Sequence, residues 1–237
     1  MPGFAFAVTV LILAGRSNDP LNQGDAVDVV GWSADEARLA VRWFDLADGS
    51  GEEELPDCPG YLDQKGAPFR GALTLAAYEG TTLIKTWLIQ DYPDCTPPAE
   101  AKSRLKEAKA AIAGLGITLN PKPVAAPAYS LETENHTSAE DDEADGAVLS
   151  GTLVAWVTPK GGKRQKLTEI PVELSYSRIM GGQMVVGFYP PAFSPSGNVA
   201  VLRAYKRFSS MRGGGDTCLF ARVYRWNGKA LTVKPPK

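Results

Sequence analysis

The feature that most constrains the fold is a phrase that occurs twice. Gly31-Trp32-Ser33-Ala34-Asp35-Glu36-Ala37-Arg38-Leu39-Ala40-Val41-Arg42 reads as aromatic residue, serine, short polar turn and apolar strand. It returns as Ala192-Phe193-Ser194-Pro195-Ser196-Gly197-Asn198-Val199-Ala200-Val201-Leu202-Arg203. A serine hydroxyl closes a short polar turn, glycine supplies a positive φ, and the apolar residues that follow enter a core. The second copy carries Gly197 in its turn, whereas the first has no turn glycine. The chain is therefore expected to be mainly β, with two β-rich halves of antiparallel sheet, each built around one such hairpin, and one packed α-helix.

The helix is predicted over residues 97–114. Pro97 suits a first helical position behind a capping Thr96. Ala101, Leu105, Ala108, Ile112 and Leu115 recur at helical spacing, and Gly114 and Gly116 end the run. Strands are expected at Ala26–Gly31, Leu39–Phe44, Ala72–Ile89 (a hairpin turning at Glu79-Gly80), Val148–Val157, Gln165–Tyr176, Met184–Tyr189, Val199–Tyr205 and Cys218–Trp226. Between them, residues 45–71 read as a long loop. The expected organisation is an export signal and linker over 1–24, an N-terminal β-rich half over 25–119, an acidic Pro-rich linker over 120–146, and a C-terminal β-rich half over 147–237.

Composition excludes several function classes. With 237 residues and a net charge of −2, the chain can bury a core but lacks the basic balance of a dedicated nucleic-acid binder. A single histidine, His136, rules out a His-rich metal site. Three cysteines without a C-x-x-C pair give neither a zinc site nor a disulfide-built scaffold. The apolar run Phe4–Ala14 is too short for a stable transmembrane span and has the length of a signal-peptide core. No Lys or Arg precedes it, and Arg16 stands where a lipoprotein would carry its cysteine. A buried first strand in a cytoplasmic protein is the alternative.

Candidate chemistry is sparse. Asp141, Asp142, Glu143 and Asp145 supply oxygen ligands, but without the spacing or closing glutamate of an EF-hand, so a solvated acidic run is expected and no metal or other cofactor is assigned. His136 is read as an exposed loop residue, there being no G-x-S-x-G elbow for it to serve. Arg207 and Arg212, near the loop-like Gly213-Gly214-Gly215, are candidates to receive an anion. Trp43 and Trp87 are candidates to stack a sugar or a peptide. Asp35, Asp45 and Glu79 are the carboxylates that a hydrolase would use, yet their spacing pairs no two of them, and no catalytic residue is assigned. Cys58 and Cys95 both follow Pro-Asp and flank the Ala72–Ile89 hairpin, so in an oxidising compartment they are expected to form a disulfide, with Cys218 as a reduced core thiol.

The two serine phrases resemble the strand-turn-strand signature of Tol-type and WD-type propeller blades, although two copies do not close a propeller. Most of residues 26–226 also resembles a bacterial family of predicted secreted proteins of unknown function. Trp32–Val41 carries that likeness, together with Pro98-Ala99-Glu100-Ala101-Lys102 running on to Gly114-Leu115-Gly116-Ile117. The resemblance implies export and brings no catalytic residues. The resulting expectation is a secreted or periplasmic, non-catalytic binding or structural module for an envelope protein or small ligand. A carboxylate-dependent hydrolase and a Ca-stabilised envelope protein are the alternatives.

Overall fold

A computed structural model describes residues 27–46, 58–62, 68–69, 71–91, 94–142, 146–178, 182–210 and 213–233. In chain order the elements are β1 (Val27–Ser33), β2 (Arg38–Leu46), β3 (Cys58–Leu62), β4 (Pro68–Phe69), β5 (Gly71–Glu79), β6 (Thr82–Gln90), α1 (Pro98–Gly114), β7 (Ile117–Leu119), β8 (Tyr129–Asp142), β9 (Gly146–Pro159), β10 (Gln165–Ser177), β11 (Gln183–Phe188), β12 (Ala192–Phe193), β13 (Val199–Ser210), β14 (Gly213–Trp226) and β15 (Leu231–Val233). The protein is mainly β, with a single helix among the described residues.

Three antiparallel sheets carry the architecture. The N-terminal sheet has the order β6-β5-β2-β1-β7, a second has β10-β9-β8, and the C-terminal sheet has β11-β13-β14-β15 with β12 also on β13. The small β3-β4 pair is a separate two-stranded sheet. The sheets do not close into a barrel, and nothing in their arrangement indicates a propeller.

Strand alternation sorts the core into layers. On β13, Val199 and Val201 face the N-terminal sheet, packing with Trp32, Leu39, Val41, Ala76 and Tyr78. Ala200 and Leu202 point the other way, onto Tyr129, Ala155 and Val157 of the β10-β9-β8 sheet. Farther along that interface Ala204 and Val186 meet Leu149, Leu153, Ile170 and Val172. The C-terminal sheet is thus the middle layer, apolar on both faces. The outer face of the N-terminal sheet (Ala40, Leu73, Leu75, Ala77, Ile89) is covered by Ala108 and Ile112 of α1. Four layers result: helix, sheet, sheet, sheet.

Several expectations need correction. The helix starts at Pro98 with Pro97 as its cap residue and no side-chain cap; the Thr96 hydroxyl instead accepts the Asp91 N–H at 2.9 Å. The expected linker 120–146 is largely a strand, because β8 pairs with β9 from Tyr129↔Pro159 to Asp142↔Gly146. Most of its side chains are polar, but the ladder satisfies its backbone whatever the side chains are, and charge on an edge strand blocks unwanted pairing. Gly213-Gly214-Gly215 opens β14 opposite Ser210, Ser209 and Phe208 rather than forming a loop. The 45–71 stretch contributes the end of β2 and the β3-β4 pair. The Phe4–Ala14 run lies outside the described residues. No described helix is long and apolar enough to cross a membrane.

Candidate functional site

The two serine turns share three hydrogen bonds. Ser33 Oγ accepts the Arg38 N–H at 2.9 Å, and Ser194 Oγ accepts the Val199 N–H at 3.0 Å. The Glu36 N–H reaches Ser33 O at 2.9 Å, and the Gly197 N–H reaches Ser194 O at 2.9 Å. Asp35 Oδ1 accepts the Ala37 N–H at 3.1 Å, and Ser196 Oγ accepts the Asn198 N–H at 3.1 Å. Each phrase's aromatic residue pairs with the residue seven positions on: Trp32 with Leu39, Phe193 with Ala200.

The turn glycine missing from the first copy has a structural reason. Glu36 occupies the left-handed region at φ +55°, as Gly197 does at +72°. The Glu36 carboxylate then reaches the other turn, accepting the Ser196 N–H at 2.9 Å and the Ser196 hydroxyl at 2.7 Å. Arg225 donates to the Glu36 carbonyl at 2.9 Å. Charge-assisted bonds of this kind offset the roughly 1–2 kcal/mol cost of a non-glycine residue in that conformation. At Gly197 the exchange is closed off: a Cβ there would stand 2.8 Å from Pro127 Cα and N.

Docking the turns creates a cleft of about 760 Å³. Its walls are Val29, Val30 and Trp32 of β1, the segment Asn120–Pro127 without Lys122, and Phe193, Ser194 and Pro195 of the second phrase. The proline-rich segment is pinned by Asn120 N–H to Val30 O at 2.7 Å and by the Val124 and Ala125 N–H groups to Pro195 O at 2.7 and 3.1 Å. The aromatic residues of both phrases therefore line one cavity. Beneath it, Tyr129 lies 5.0 Å from Trp226 and 6.1 Å from Phe193 between ring centroids. Its hydroxyl is buried without a hydrogen-bond partner, and burial first, then the Glu36 charge, hold the phenol above its ordinary pKa.

The residues singled out from sequence lie elsewhere. Trp87 packs on the α1 side of the N-terminal sheet with Lys85 5.7 Å from its ring, while Trp43 is on β2 with a buried, unpartnered Nε1. Arg207 lies over the Tyr205 ring at 5.5 Å. Arg212 is outside the described residues. Of the three hydrolase carboxylates, Asp35 is a turn residue whose pKa is lowered by the Ser33 hydroxyl at 2.6 Å and then by the Ala37 N–H. Glu79 is exposed beside Arg38, and Asp45 belongs to β2.

One polar cluster escaped sequence reasoning. His136 is exposed but stands on β8, not in a loop, 3.1 Å from Glu134. Glu134 also accepts from Arg164 at 2.6 Å and from the Trp156 indole at 2.8 Å, and Arg164 stacks over Trp156 at 4.5 Å. These donors, Arg164 foremost, lower the Glu134 pKa to about 2. The i, i+2, i+4 spacing of Glu132, Glu134 and His136 is the strand signal that a linker reading discards. Among the described residues no group of His, Cys, Asp or Glu is arranged to hold a metal ion.

No family model, curated protein or solved structure matches the chain.

Proposed function

We propose that the protein is an exported, non-catalytic recognition module that holds an apolar ligand group in the cleft between its two serine turns. The observation that carries this reading is the chemistry of the walls. They are valine, alanine, proline and two aromatic residues, and their only polar side chains are Asn120 and Ser194. A general acid–base mechanism needs titratable groups within hydrogen-bond reach of the reacting atoms, and no wall residue titrates. Binding sites for small ligands combine such apolar surface with a few polar groups in volumes of roughly 300–1,000 Å³.

Titrating the folded protein with small aromatic and aliphatic fragments tests this. Amide NMR shifts should concentrate at Val29–Trp32, Asn120–Ala126 and Phe193–Ser194, and Phe193→Ser should abolish them. Shifts gathered at Glu134 and His136 would overturn the assignment of the cleft. Turnover of ester or glycoside substrates that is lost in Asp35→Asn would restore the hydrolase.

Export is the other half of the reading, and a Cys58–Cys95 bridge would accompany it. Its support is positional: Cys95 lies just ahead of α1, α1 packs on β3, and Cys58 opens β3. Cys95 has an interaction partner. Non-reducing peptide mapping of protein from its native host should recover Cys58 joined to Cys95; recovery of both as free thiols would count against the bridge and against export.

A further inference from the structure

We infer that β6 is a dimerisation edge, pairing antiparallel with β6 of a second copy to join two N-terminal sheets into one of ten strands. Among the described residues, β6 is the terminal strand of its sheet. Of the exposed large apolar side chains among the described residues, three are on this strand: Leu83, Ile84 and Leu88. The two long edges of the β10-β9-β8 sheet are protected differently. β8 exposes Glu132 and Glu140, and β10 exposes Lys166, Glu169 and Glu173 together with Pro171, which has no N–H to offer. Charges and proline are the usual guards of an edge that must stay single. β6 has one charge, Lys85, in nine residues.

The strand is self-complementary around Thr86. With the two-fold axis at Thr86, Lys85 of each copy stands opposite Trp87 of the other, repeating between chains the cation–π contact Lys85 already makes within its own. Thr86 itself is exposed and faces its own counterpart. The apolar residues flanking this centre fall against apolar residues. The lone charge therefore meets a partner instead of a like charge, which is the requirement that a symmetric edge imposes. The pairing with β5 slips between Ala77 and Tyr78 and between Leu73 and Thr74, so Lys85–Leu88 is the regular stretch available to a second copy.

Light scattering of the full chain across a concentration series tests the proposal. The protein should form a dimer, and the double variant Ile84→Lys/Leu88→Lys should weaken it by about tenfold or more, because it places four added lysines along the joined edges. Thr86→Cys should give a disulfide linking residue 86 of two chains in non-reducing peptide mapping, whereas Thr118→Cys, at the exposed middle position of β7 on the opposite end of the same sheet, should not. A protein that is monomeric throughout, or one whose dimer is indifferent to the lysines, overturns the proposal. If the double variant loses its native circular dichroism, the Thr86→Cys linkage decides, and its absence is equally fatal.

Discussion

Glu36 shows how one residue couples backbone conformation to long-range contact. Its positive φ is a local cost, and its carboxylate recovers that cost 160 residues away at Ser196. Glu36→Gly frees the backbone but removes both bonds, so a net loss of about 1–5 kcal/mol is expected, since bonds to charged groups contribute roughly 1.5–3 kcal/mol each and the relieved backbone returns about 1–2. Ser196→Ala should cost a comparable amount, and the double variant should cost less than the sum of the two. Urea denaturation of all four proteins measures this coupling; strict additivity would show that the turns do not support each other.

At the scale of the element, β8 owes its place to backbone pairing and its solubility to its side chains. Glu134 ties β8 to β9 through Trp156 and to the turn after β9 through Arg164. Its folded pKa of about 2 lies below its unfolded value near 4.5, so its stabilising contribution is fully present above that unfolded value. The contribution declines as pH falls from there through about 2. The stability gap between the native protein and Glu134→Gln should therefore be constant near neutrality and shrink on acidification through that window. Denaturation curves at a series of pH values check it, and a gap independent of pH would remove Glu134 from the acid response.

For the molecule as a whole, the middle sheet is the structural keel, since both of its neighbours depend on it. Leu202 is wholly buried between the C-terminal sheet and the β10-β9-β8 sheet. Leu202→Ala should cost about 2–5 kcal/mol, as for other buried large-to-small changes. Because the layers share continuous faces, the loss should appear as one cooperative transition shifted to lower denaturant. A separate early transition confined to one sheet would show that the layers unfold independently. The cleft depends on the same stacking: its walls come from β1, from the segment ahead of β8 and from the second serine turn.

Local pattern made much of this legible. The serine phrases, the period-two strands and the capless but regular helix rest on interactions within a few residues, which a sequence displays directly. Trp32 and Phe193 were visible as the aromatic starts of two like turns. That they face one cavity was not, because it depends on the docking of segments 160 residues apart. The same limit hid the strand in Tyr129–Asp142, whose backbone finds its partners in β9 while its side chains read as solvated loop. It also hid the reason for Glu36, which answers to Ser196 and not to its neighbours. Sequence determined the serine turns, the helix and most of the strands through short-range sterics and periodicity. Only the tertiary structure decided which turns meet, which face of each sheet is shared, and where an apolar cleft is left between them, because those depend on burial summed across layers.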